Sequence, residues 1–154
     1  MSITSLLATD RIFTDADISS KKRLLEFIAE KAADGLSLSQ NNIFNKLLER
    51  ERLGSTGLGQ GFAVPHARLD DLHETHACFV KLDNPINYDA MDHEPVDLIF
   101  ALLIPDACTE EHLQILANLA RIFSQPEVPD QIRYCHSADE IISLIEQAEK
   151  AALP

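Results

Sequence analysis

The stretch from Val96 to Ile104 constrains this chain most. Beyond Asp97 it is apolar without a break, and Pro105 stops it. A strand with one wet face alternates apolar and polar residues, whereas one without alternation is covered on both faces. The run therefore reads as a central strand, and the rest of the chain must supply helical cover for each of its faces. It is far short of the roughly 18–20 apolar residues of a membrane span.

Helical patterns stand on both sides of that run. Ser19 and Ser20 can cap a helix through Glu30, with Leu24, Phe27, Ile28 and Ala32 on one face and Gly35 ending it. Ser39 can cap a second, with Ile43, Phe44, Leu47 and Leu48 inward and Gly54 as its stop. Thr109 can cap a third from Glu110 to Phe123, with Leu113, Leu116, Ala117 and Ala120 inward. A short helix or turn is expected around Pro129 to Tyr134. The capping box Ser137-Ala-Asp-Glu140 then opens a last helix through Ala148. Extended segments are expected over Gly61–Arg68, Thr75–Leu82 and Ile86–Tyr88. The chain has 154 residues, 45% of them apolar, and neither a repeat nor a linker-like tract. The expectation is one domain over residues 1–154, of α/β (α+β) class, with helices on both faces of a mixed sheet.

The charge balance narrows the partners. With 25 acidic and 13 basic residues the formal net charge is −12. That field repels nucleic acid and anionic membrane surfaces, and it favours a basic protein partner or simply keeps the chain soluble. The start of the chain lacks the basic-then-apolar pattern of a secretory signal. Cys78, Cys108 and Cys135 are odd in number and form no CxxC pair, so they read as reduced thiols of a cytoplasmic protein.

Four of the five glycines fall between Gly54 and Gly61, in the segment Gly54-Ser55-Thr56-Gly57-Leu-Gly59-Gln60-Gly61-Phe-Ala-Val-Pro65-His66-Ala67-Arg68. It contains no GxxxxGK[ST]. Its Gly57-Leu-Gly59 pair precedes a strand, whereas a dinucleotide fingerprint follows one. What remains is either a plain connection or an anion-binding loop with bare amides and the hydroxyls of Ser55 and Thr56. His66 follows a proline that stiffens its approach. A nucleophilic imidazole must be neutral, with one nitrogen free and the other held by an acceptor. In an extended segment Arg68 lies on the same side as His66. His112, three residues after Thr109, falls in the first turn of a helix, where an anion is favoured and a protonated imidazole is not. It is either a neutral donor beside a phosphate or a partly buried residue flanking Leu116–Leu119. Arg50, in the last turn of the second helix, suits the helix dipole and can also grip phosphoryl oxygens. His73 and His76 lack the glutamate of HExxH, so no metal site is expected, and no cofactor.

The run Leu58-Gly59-Gln60-Gly61-Phe62-Ala63-Val64-Pro65-His66-Ala67 resembles the enzyme IIA domains of the fructose–mannitol class of the bacterial phosphoenolpyruvate-dependent phosphotransferase system. The likeness extends to Pro95–Pro105 and Glu111-His112-Leu113. It implies a mixed sheet of about five strands and a phosphohistidine intermediate on Nε2 of His66. It also implies the histidine phosphocarrier protein as donor, His112 as the second active-site histidine and Arg50 as the active-site arginine. The free-standing form and the Arg52–Gly61 run are similar to the nitrogen-regulatory branch. That branch implies control of partner proteins, of nitrogen or potassium type, by phosphorylation state. The alternative is a sugar-transport enzyme IIA passing phosphate to a fructose or mannitol enzyme IIB. Two positions depart from the family: Ala67 stands where glycine is frequent, and Gln60 where the mannitol branch has an acid. Losing that acid is expected to relieve repulsion of a phosphate dianion.

Overall fold

The computed structural model describes residues 2–107 and 109–152. In chain order the elements are β1 (Ile12–Ala16), α1 (Lys21–Leu36), α2 (Gln40–Arg52), β2 (Gly57–Gly59), β3 (Phe62–Ala63), β4 (His66–Leu69), β5 (His76–Ile86), β6 (Val96–Pro105), α3 (Thr109–Phe123), α4 (Glu127–Arg133) and α5 (Ala138–Ala152). Two 3-10 turns, Thr4–Leu6 and Thr9–Arg11, precede β1. The strands make one mixed six-stranded sheet in the order β1-β5-β6-β3-β2, with β4 also on β6. The expected class holds, with one strand more than expected.

The apolar run is β6, and it is central. It pairs antiparallel with β5 on one side, and parallel with β3 and then β4 on the other. Leu98, Ile99, Phe100, Leu102 and Ile104 have no exposed surface. Alternate residues feed two cores, as the pleat requires. Leu98, Phe100, Leu102 and Ile104 pack with Ile115, Leu119 and Ile122 of α3 and Ile141 and Ile145 of α5. Ile99, Ala101 and Leu103 pack with Leu24, Leu25 and Ile28 of α1 and Ile43 and Leu47 of α2. No helix among the described residues is long and apolar enough to cross a membrane.

Several boundaries differ from expectation. Gly35 does not end α1; the helix closes at Ser37, whose left-handed φ of 57° lets its N–H reach Ala33 O. Ser20 and Ser39 cap α1 and α2. The extended segment after Gly61 is two strands, β3 and β4, interrupted at Val64-Pro65. The Ile86 edge is the end of β5 itself. Ser137 caps α5 by accepting from Glu140 N–H at 3.2 Å, and the helix runs to Ala152 rather than Ala148. Cys108 and the side chain of Thr109, the expected cap of α3, lie outside the described residues. Helix α3 is turned from the expected phase: Leu113 is 66% exposed, whereas Ile115, Leu119 and Ile122 are buried. Apolar residues surround much of this helix, so more than one stripe satisfies the period. Strand β1 lacked a clear alternation and was not expected.

The β2–β3 corner is tied to the start of β6. Arg133 grips Asp97 with two bonds, Nε to Oδ2 at 2.8 Å and Nη2 to Oδ1 at 2.9 Å, and Nη2 also donates to Gln60 O at 2.8 Å. Gly61 turns beneath this clamp at φ +79°, where a Cβ would collide with Arg133 Nη2 and lie 2.9 Å from Asp97 Oδ1. Gly61→Ala is expected to lower the urea midpoint. The backbone alone costs about 1–2 kcal/mol in that region, before any loss of the clamp.

Candidate functional site

The site is built where the line of β3 and β4 breaks. Pro65 has no N–H for a ladder, but its carbonyl accepts from Leu102 N–H at 3.0 Å, which keeps the chain aligned on β6. His66 then pairs with Leu102. Ala67 and Leu69 join the core beneath α1 and α2. The alternate residues His66 and Arg68 are therefore on the other side, toward α3. There His112, in the first turn of α3, brings its ring to 5.1 Å from that of His66, the two planes at 76°. Both rings are 7% exposed.

Hydrogen bonds assign each ring its tautomer. His66 Nδ1 lies 2.8 Å from Val64 O. A carbonyl only accepts, so Nδ1 carries the hydrogen and Nε2 keeps its lone pair. His112 Nδ1 accepts from Arg68 Nε at 3.3 Å, which puts the hydrogen of that ring on Nε2. This Nε2 is buried and has no partner among the described residues. Burial lowers the pKa of His66 below the ordinary 6.5; the Val64 carbonyl opposes the shift, and Arg50 and Arg68 add to it. His112 is pushed down to about 4, by burial first and then by His66, Arg68 and Arg50. Two neutral imidazoles thus stand in the field of two guanidinium groups. A group of this kind can take an anion without first losing a proton.

Arg50 anchors the loop that enters β2, its Nη1 donating to Gly54 O at 2.9 Å. Ser55 Oγ accepts from Gly57 N–H at 3.1 Å and Thr56 Oγ1 is bonded to Glu51 and Tyr88. Both hydroxyls thus have partners in the loop, in the end of α2 or in the segment after β5, and among the described residues neither bonds a histidine. Gln60 is further removed. It holds φ 57° and donates its N–H to Asp92 Oδ2 at 3.2 Å, on the Arg133 side of the hairpin. Phe62 pairs with Leu98 and His66 with Leu102, which is about 13 Å along a strand, and Gln60 lies beyond Phe62. The backbone of Gln60 is therefore set apart from that of His66 along the sheet.

Sequence reasoning missed the group beneath the loop. Glu51 is buried and salt-bridged to Lys21 at 2.9 Å. It also accepts from Thr56 N–H at 3.1 Å and from Tyr88 OH at 3.2 Å. Tyr88 is fully buried, and burial raises its phenol pKa well above 10. One signal was available: an acid in the last turn of a helix opposes the dipole and needs a local partner.

Fold and site together define a class of α/β protein that sets a neutral histidine pair at a broken sheet edge, and the family follows from comparison. The chain belongs to the EIIA type 2 family of the phosphoenolpyruvate-dependent sugar phosphotransferase system, whose model matches residues 5–148. Among its relatives, a nitrogen regulatory protein of Bradyrhizobium diazoefficiens is 37% identical over 94% of this chain and 95% of its own length. A nitrogen regulatory protein homolog of Haemophilus influenzae is 41% identical over 98% and 94%. The crystal structure of nitrogen regulatory protein IIA-Ntr from Neisseria meningitidis superposes with a TM-score of 0.90 at 39% identity, covering 93% of this chain and 98% of that one.

Proposed function

We propose that this chain is a phosphoryl carrier. In this reading Nε2 of His66 attacks the phosphorus of a phosphohistidine on the histidine phosphocarrier protein. The new N–P bond forms as the donor's N–P bond breaks, and that electron pair returns to the donor imidazole. The observation that carries the reading is the Val64 carbonyl at 2.8 Å from Nδ1, which leaves Nε2 as the free nucleophile. The Nε2–H of His112 and the guanidinium groups of Arg50 and Arg68 are the donors for the transferred oxygens. Ser55 and Thr56 serve by shaping the loop. The nitrogen regulatory relatives support a role in which the phosphorylated and free forms act differently on partner proteins.

The test is direct. Incubation with enzyme I, the phosphocarrier protein and phosphoenolpyruvate is expected to add one phosphoryl group, read by intact mass. No gain overturns the reading. Rapid onward transfer to a sugar-specific enzyme IIB would move the function to transport.

His112→Gln is expected to accept phosphate and to release it poorly. The amide can still donate to the phosphoryl group, but it does not reproduce the rigid ring that accepts from Arg68 at Nδ1 and donates from Nε2 on its other side. A chase from the phosphorylated variant back to the carrier measures this, and normal transfer would remove His112 from the mechanism.

A further inference from the structure

We propose that Glu51 is a positioning residue for the acceptor imidazole, acting through the backbones of Thr56 and Val64 on Nδ1 of His66. Three hydrogen bonds run in series. Thr56 N–H donates to Glu51 at 3.1 Å, Val64 N–H donates to Thr56 O at 3.0 Å, and His66 Nδ1–H donates to Val64 O at 2.8 Å. The series starts at a buried charge and ends at the ring whose tautomer matters. Each bond fixes the backbone of the next residue, so the place of the Val64 carbonyl, the last acceptor, follows from where Glu51 holds Thr56.

The anchor is well held. Lys21 Nζ pairs with Glu51 Oε1 at 2.9 Å and also donates to Tyr88 O at 3.1 Å. The preceding residue, Arg50, clamps Gly54 O at 2.9 Å. Consecutive residues of α2 thus fix the loop at Gly54 and at Thr56. A merely stabilising carboxylate needs a cation and satisfied oxygens. This one also holds Thr56, the residue whose carbonyl accepts from Val64 N–H. The role of Nε2 as nucleophile rests on the proposed function, but the positioning of the ring does not.

Removing Glu51 alone leaves Lys21 unpaired in a largely buried place, so the main variant is the double substitution Lys21→Met with Glu51→Met, which leaves Thr56 N–H without its acceptor. Long-range proton–nitrogen NMR of the His66 ring, on the free protein without donor, reads the tautomer. The wild type is expected to show Nδ1–H alone, and the double variant a clear share of Nε2–H. At saturating carrier protein its acceptance rate is expected to fall roughly tenfold or more, with KM for the carrier little changed. Glu51→Asp keeps the charge but shortens its reach to Thr56, and it is expected to give the same tautomer change. It carries the test if the double variant does not fold. Tyr88→Phe removes the phenol's bonds to Glu51 and to Thr56 Oγ1 but leaves Thr56 N–H on Glu51, and it is expected to keep the wild-type tautomer. A folded double variant, or Glu51→Asp, with only Nδ1–H and an unchanged rate overturns the proposal. So does a tautomer change in Tyr88→Phe equal to theirs. Because the NMR reading needs no phosphate, a wild type that cannot be phosphorylated would sink the carrier reading and leave this one standing.

Discussion

His66→Ala is expected to abolish phosphoryl acceptance outright, with the fold intact. Among the described residues the ring hydrogen-bonds only to Val64 O, so its removal takes away one neutral bond, which contributes about 1 kcal/mol, and packing beside His112. The chemistry has no substitute. The nearest other imidazole, His112, has Nδ1 engaged by Arg68 and a hydrogen on Nε2, so it presents no free lone pair. Intact mass after incubation with the full phosphoryl chain should therefore show no gain, and phosphorylation of the variant would place the acceptor elsewhere. The pH profile of the wild type tests the same assignment. Attack requires neutral His66, and its pKa lies below 6.5, so acceptance should persist at pH values where a free imidazole is already half protonated. Stability moves in the same sense. His112 and His76 are both held down to about 4, His76 by burial and then Arg11. The unfolded chain binds protons that the folded one refuses, so their contribution is full above pH 6.5 and is lost as pH falls toward about 4.

The second large effect is expected at the centre of the sheet. Phe100 has no exposed surface, and its ring meets Phe79 edge-on at 6.4 Å. Phe79 lies over Phe123 at 6.5 Å, and Phe123 stacks on Phe62 at 3.8 Å. Phe100→Ala removes one end of this aromatic ladder between β6 and α3. Such truncations cost about 3–5 kcal/mol, against a typical total of about 5–15 kcal/mol. Urea unfolding should show a lower midpoint with an unchanged slope. A loss below about 1 kcal/mol would mean the site collapses around the smaller residue. Since His66 is registered on β6 only two residues further, at Leu102, the variant should also lose acceptance as it loses stability.

These residues show what could be read from the chain alone. The unbroken apolar run declared a strand covered on both faces, and the two serine caps and the capping box marked helix starts, because each signal is local. The candidates His66, Arg68 and Arg50 were legible from one glycine-rich segment and its preceding helix. The phase of α3 was not, because Leu113, Leu116 and Ala117 compete with Ile115 and Leu119 and only the sheet decides between them. A hairpin turns between Gln60 and His66, a separation that their spacing in the chain does not display. The bonds of Thr56 were hidden because Lys21 and Tyr88, far apart in the chain, meet Glu51 only after folding.

The two guanidinium groups flanking the histidine pair have one more consequence. A chain of net charge −12 that takes on roughly two more negative charges changes little as seen from a distance, and salt screens the rest within about 10 Å. At the patch itself, however, the same event turns a cationic surface into a neutral or anionic one. A phosphorylation mark placed there is legible by touch rather than at range. On the proposed function, a protein that responds to it is expected to lay its own surface against Arg50 and Arg68.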